Sequence, residues 1–327
     1  MCVGNKQAAG NTVEKAGLAN GNLYGIRIAD IGIVSGRPNE DRANVLGNST
    51  IGRRESIRFD FFNHGDIINT LGKACNPTGS SVVSGLQQIG DANQVVNFLR
   101  PEDMAWDAKS TNRACFVTTN AFVTNGNSRL FSMVFDDITN PLACGTVNML
   151  AEGGGGNVQG SLAGGLSSAT DATTFEMLDN ICVTKNGYVL VQEYGGGNDR
   201  LGRLWLYDLY GDNTVEIGIN DAAFFAPGAA AFHTTDEETS GIVFAEDTLR
   251  TGCFFLNMRI TAAAPTANCS RVVSFWLYLS SLLYRPLVRS RFWAWAGCSR
   301  LVVAENLLPP PRANSPQLHF HVMNCRS

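Results

Sequence analysis

Charge is scarce in this sequence. Asp, Glu, Lys and Arg fill 17% of its 327 positions, against 44% for hydrophobic residues. Long amphipathic helices need a wet face rich in Lys, Glu and Arg, and no stretch supplies one, which argues against a helical bundle. Nine cysteines and four histidines occur without a Cys-x-x-Cys pair or a Cys/His cluster, so zinc-site spacing is absent. No apolar run reaches the ~20 residues of a membrane helix. The nearest, Ser274–Tyr284, is short and runs straight into Arg285 and Arg289. The opening Met1–Asn11 lacks the charged and apolar regions of a signal peptide. No Gly-x-Ser-x-Gly elbow is found, and the Gly-rich run between Glu152 and Thr174 lacks the Gly-Lys-Ser/Thr that closes a phosphate loop.

What the chain has instead is glycine, 34 of them, set among Thr, Asn and Val. That mixture favours short strands joined by tight turns. Leu23–Ala29 is the first strand expected, and Arg54–Phe62 alternates Ile57, Phe59 and Phe61 with charges, the pattern of a half-buried strand. Val82–Phe98 is the best helix candidate, weakened by Gly85 and Gly90. Cys115, Cys182 and Cys253 lie inside apolar strand-like runs and read as buried thiols. His64, beside Gly65 and Asp66, reads as a turn residue.

From residue 100 the chain repeats itself. One unit runs Asp103–Asp107, Cys115–Asn120, Arg129–Asp136 and Thr146–Ala151. A second runs Asp179–Val183, Tyr188–Tyr194, Arg203–Asp208 and Val215–Ile219. A third opens with Ser240–Phe244 and Cys253–Met258, after which no blade strand is expected. Each complete unit holds a short strand, a strongly apolar strand, a strand opening Arg-Leu-aromatic, and an outer strand. Four antiparallel strands, repeated, make a propeller blade. A sandwich would show similar strands, and the recurring Arg-Leu-aromatic opening favours the propeller. The expected fold is therefore all-β, an incomplete β-propeller with an irregular tail. Its body covers 1–265, with N-terminal strands in 1–99 and blade-like repeats in 100–265. Residues 266–327 carry seven Arg, no Lys and one acid, Glu305, and read as a poorly packed segment of the kind a frame or splice change produces. The acidic remainder repels nucleic acid and anionic lipid, so neither is an expected partner.

Several segments resemble the PhoX-type alkaline phosphatases. Arg100-Pro101-Glu102-Asp103 with Ala105-Trp106-Asp107, then Phe116-Val117-Thr118-Thr119, is similar to that family's RPED-x-AWDP and FVTT stretch. Asp136–Pro141 with Gly145-Thr146, Arg203-Leu204-Trp205 with Tyr207-Asp208, and Asp236–Ile242 resemble later parts, and Val13–Leu18 an earlier one. The resemblance spans about residues 12–260. It implies a propeller that hydrolyses phosphate monoesters at an axial cluster of calcium and iron, in a periplasmic or secreted protein acting on a small phosphate ester. The segment that supplies an iron-binding thiolate in such phosphatases, of the Thr-Cys-Glu-Glu type, has no counterpart here, so calcium is expected before iron.

The residues lead to a compatible site by another path. Glu102, Asp179 and Glu238 each precede or open the first strand of a unit, and equivalent positions of successive blades ring the axis. Carboxylates gathered there repel unless a cation lies among them. With Glu193, in the second strand of its unit, they form the expected metal-ligand set. Adjacent acids in a regular strand point to opposite sides, so only one of Glu102 and Asp103 can face the axis. Two functions follow as expectations: a metal-dependent phosphoesterase, truncated and weakly active as written, or a non-catalytic propeller module stabilised by calcium.

Overall fold

The fold comes from a computed structural model. It describes residues 1–28 except Leu18 and Asn20, then 33–34, 37–38, 57–66, 85–119, 128–152, 176–194, 201–211, 213–220, 222–232, 234, 237–245, 247, 253–260, 271–280, 289–290, 292–294 and 302–304. The chain is all-β. The first strands are β1 (Cys2–Gly4), β2 (Gly21–Ile28), β3 (Ile33–Val34), β4 (Arg37–Pro38) and β5 (Ile57–Asp66). Next come β6 (Pro101–Trp106), β7 (Arg113–Thr118), β8 (Arg129–Phe135) and β9 (Gly145–Glu152). They are followed by β10 (Leu178–Val183), β11 (Tyr188–Glu193), β12 (Arg203–Asp208) and β13 (Asn213–Ile219). The last group is β14 (Glu237–Phe244), β15 (Cys253–Ile260), β16 (Arg271–Ser280), β17 (Arg289–Ser290), β18 (Phe292–Ala294) and β19 (Val302–Ala304). The expected helix shrinks to Gly85–Ala92. The chain leaves it through Asn93 and Gln94, the latter at φ 61°, a left-handed conformation that a helix cannot continue.

The strands assemble as three main sheets, ordered β1-β2-β5-β9-β8-β7-β6, then β10-β11-β12-β13, then β14-β15-β16-β18-β19 with β17 against β16. By compactness the chain divides into two units, and β7, β8 and β9 each run through both. The first unit holds Met1–Leu99, Thr111–Ala114 and Phe131–Leu150. Its core gathers Phe59 against Phe135, and Phe98 against Phe131, all edge-on. Gly145 begins β9 where a Cβ would strike the Val134 carbonyl and the Phe59 ring, so a side chain is excluded there. The second unit holds Arg100–Ser110, Cys115–Leu130 and Ala151–Ser327. Within it β6, β10 and β14, each an edge strand of its own sheet, lie side by side as the inner strands of propeller-like blades.

Burial explains why the second and third strands of each unit read as unbroken apolar runs. Nearly every residue of β7, β8, β11 and β12 is buried, so neither face of these strands is left to solvent. Between the second and third sheets, Leu190, Leu204 and Leu206 pack with Ile242, Phe254 and Leu256. Cys115 and Cys182 are buried, as their sequence context indicates; the Cys253 side chain lies outside the described residues. The recurring Arg is buried too. Arg129 opens β8 and meets Glu152, the last residue of β9, through Nε at 2.9 Å and Nη2 at 2.8 Å. Arg203 opens β12 and meets Glu216 of β13 at 3.3 Å. The Arg-Leu-aromatic signature is thus an ion-pair latch between the third and fourth strands of a blade, followed by two core residues.

The third sheet corrects one expectation. No blade strand was expected after Met258, yet β16 pairs antiparallel with all of β15, from Cys253↔Tyr278 to Ile260↔Arg271. The reason lies in Val272-Val273-Ser274-Phe275-Trp276-Leu277-Tyr278, a run rich in β-branched and aromatic residues that favour a strand. Trp293 lies on β18, paired through the backbone with Trp276; Trp295 falls outside the described residues.

Two outcomes follow. Cutting the chain after residue 265 uncovers the hydrogen-bonding edge of β15, so a 1–265 protein should aggregate on heating where a 1–304 protein stays soluble, as light scattering would record. Glu152→Ala, which removes a buried carboxylate partner of Arg129, should cost about 3 kcal/mol in urea unfolding. Arg58→Ala, which removes an exposed pair with Asp136, should cost less than about 1 kcal/mol.

Candidate functional site

The inner strands carry the acidic residues singled out above. On β6 the burial pattern alternates, with Glu102, Met104 and Trp106 exposed and Asp103 and Ala105 half-buried. Glu102 and Asp103 therefore point to opposite sides. Glu102 pairs with Arg100 at 3.0 Å. Asp103, not Glu102, reaches the neighbouring inner strand, where its Oδ2 accepts from the Ile181 amide at 3.1 Å.

A β-bulge lies next to that contact, and the ladder resumes at Ile181 opposite Val191. The β10–β11 register slips between Leu178 and Ile181, so Asp179 and Asn180 stand in the irregular stretch. A bulge leaves a residue outside the regular ladder, and here Asp103 takes the Ile181 amide. Asp179 is half-buried and its Oδ2 accepts from Asn180 Nδ2 at 2.9 Å. In β14 a second slip falls between Ser240 and Ile242, with Gly241 at φ 66°. Both inner strands thus break register, β10 at its opening acid and β14 three residues beyond Glu238, a feature that re-aims side chains. Glu238 occupies the second position of β14, its backbone opposite Arg259; its side chain lies outside the described residues.

Glu193, at the end of β11, is fully buried. Its Oε1 accepts from the Trp205 indole at 2.8 Å and from the Glu176 amide at 2.9 Å, and its carbonyl accepts from the Thr239 hydroxyl. This carboxylate works as an internal acceptor between strands. The Trp of the repeated Arg-Leu-aromatic opening was the available signal for that partner. Thr119 and Ser128 act alike: Thr119 Oγ1 donates to the Leu178 carbonyl at 2.7 Å, and Ser128 Oγ accepts from the Leu178 amide at 3.3 Å. Neither hydroxyl was singled out from sequence, because Ser and Thr near turns are too common to carry a signal.

Among the described residues no group of three His, Cys, Asp or Glu side chains is placed to hold a metal ion. The donor chemistry of Glu102 and Asp179 is hard oxygen, which suits calcium. Burial pushes the Cys182 thiol up to about 11, with a smaller contribution from the Asp103 charge. His64 is not a turn residue. It stands within β5, and the turn-like sequence after it is absorbed by the β2–β5 register slip at Leu23/Tyr24 and by Gly65 at φ 91°, whose amide donates to Asn63 Oδ1.

The sequence matches no family profile and no curated protein. Among solved structures, one from Bacteroides uniformis, provisionally named a 6-phosphogluconolactonase, superposes with a TM-score of 0.27 and 12% identity, over 87% of this chain and 67% of that one. A likeness that loose carries no argument about fold or function.

Cys182 offers a direct test of burial at the inner strands. Its thiol should resist a disulfide reagent at pH 8 in the native protein and react once urea unfolds the chain, while half-exposed Cys144 reacts throughout. Because the folded pKa lies above the ordinary 9.0, the thiol's contribution to stability is complete below about pH 9 and falls away as pH rises toward 11. Urea midpoints of wild type and Cys182→Ala should converge over that interval.

Proposed function

We propose that this chain belongs to a metal-dependent phosphoesterase of the PhoX type, weakly active as written, whose inner strands form part of the site for a small phosphate monoester. One observation carries the reading. Glu102, Asp179 and Glu238 are each the second residue of an inner strand, on β6, β10 and β14. Those strands are neighbours, and one of them, β10, breaks register at its acid. Recurrence of one residue type at one position of three adjacent inner strands supports a shared task better than three unrelated surface acids do.

Calcium is the ion these donors would hold, with Glu102, Asp179 and Glu238 as ligands, and when bound it would polarise a phosphoryl oxygen. The chain's own part is to present the acids at the ends of rigid strands and to keep Glu193 out of the ligand set by tying it to Trp205. Arg100, paired with Glu102, places a guanidinium suited to bidentate phosphate contact at the same edge.

A second reading rests on a specific observation. Asp103 and Glu193 are both spent on bonds between strands, as they would be in a propeller module that binds or braces without catalysis. Two measurements separate the readings. Thermal melts with calcium and with chelator should differ by roughly 2.7 kcal/mol when calcium stands at 100 times its dissociation constant, and Glu102→Ala should shrink the difference. Nitrophenol release from a phosphate monoester should be slow but measurable with calcium, and lost in Glu102→Ala. A calcium-dependent melt without hydrolysis would select the bracing module; equal melts and no hydrolysis would sink both.

A further inference from the structure

Away from the inner strands, and wholly within the first unit, β2, β5 and the helix Gly85–Ala92 enclose a groove of about 270 Å³. Three observations distinguish it from a surface dimple. The first is its space. Gly25 stands where a Cβ would meet Val95 and approach His64 Nε2 to 2.9 Å, and buried Gly90 stands where a Cβ would lie 3.8 Å from His64 Cε1. Gly25 thus makes room for an imidazole that packs edge-on to Phe62, ring centroids 4.9 Å apart.

The second is its polar lining. Gln87 Nε2 donates to Asn97 Oδ1 at 3.4 Å, and Asn97 Nδ2 donates to Asp91 Oδ1 at 3.0 Å. This amide–amide–carboxylate chain runs along the groove. The Tyr24 phenol, which accepts from Asn22 Nδ2 at 3.3 Å, adds a hydroxyl. The third is its apolar wall, Leu23 and Val95.

We propose that the groove beside His64 binds a neutral, hydroxyl-rich molecule the size of one sugar ring. Amides donate to and accept from vicinal hydroxyls, a carboxylate accepts from them, and Leu23 and Val95 suit the C–H face of a pyranose. The volume lies just under the ~300–1,000 Å³ of drug-sized sites, enough for one ring. Among the described residues Asp91 is the one acid that lines the groove and no Lys or Arg side chain does, so an anion meets no side-chain cation there; the His64 pKa is lowered, chiefly by burial and also by the nearby N-terminal ammonium. The site is therefore distinct in chemistry from a phosphate ester site, and its test is independent of that reading.

The experiment is calorimetric titration of the full 327-residue chain with D-glucose, D-galactose and myo-inositol, with inorganic phosphate and tetramethylammonium as charged probes. At least one of the neutral compounds should bind saturably, with Kd of about 1 mM. His64→Phe keeps the edge-on ring packing but removes both nitrogens, and Gln87→Ala removes one amide from a half-buried position. Each should weaken binding about tenfold with an unchanged Tm. If His64→Phe does not fold, Gln87→Ala decides alone. Absence of saturable binding by all three neutral compounds overturns the proposal, as does equal affinity in the variants or a preference for either charged probe.

Discussion

The inner strands of the second unit share no hydrogen-bonded ladder. β6, β10 and β14 belong to three separate sheets, so their edges must be held by something other than strand pairing. Side chains do it. Asp103 takes the Ile181 amide, Thr119 and Ser128 take both backbone groups of Leu178, and Thr239 donates to the Glu193 carbonyl. Each bond satisfies a buried or half-buried backbone group that would otherwise be stranded, at a cost of about 1–3 kcal/mol. The remaining packing, including the Leu190 to Phe254 cluster between sheets, depends on these edges staying in place.

This constraint bears on function because the same residue type serves both ends. An acid at the opening of an inner strand either fastens that strand to its neighbour or faces outward. Alternation along β6 divides the two roles between adjacent residues, Asp103 inward and Glu102 outward beside Arg100. Glu193 lies one strand further from the edge and is committed inward by Trp205 and the Glu176 amide. The Glu193 carboxylate thereby joins its own strand to the neighbouring one through Oε1.

Blade integrity depends on a second device, the buried latch. Arg129–Glu152 and Arg203–Glu216 recur at matching places in successive sheets. A buried ion pair adds little net stability over an apolar pair, yet it is costly to break, so its recurrence favours one pairing of third and fourth strands over slipped alternatives. β16 also opens with an arginine, Arg271, at the corresponding place in the third sheet.

The sequence alone was enough for the all-β class, the repeat length and most strand positions. Periodicity and apolar runs are local signals, and β7, β8, β11 and β12 are buried on both faces and therefore loud. The recurring arginines were visible, though not their partners, because Glu152 lies 23 residues from Arg129 and only the β8–β9 return brings them together. Composition misled on β16, where an arginine-rich surrounding hid a run of strand-forming residues whose partner, β15, had already been recognised. Tertiary structure alone decided which of Glu102 and Asp103 faces a neighbour, that β10 and β14 carry bulges, and that His64 belongs to a strand lining a groove. Those are matters of register and of contact between distant segments, and a single residue's slip reverses which side of a strand a side chain takes.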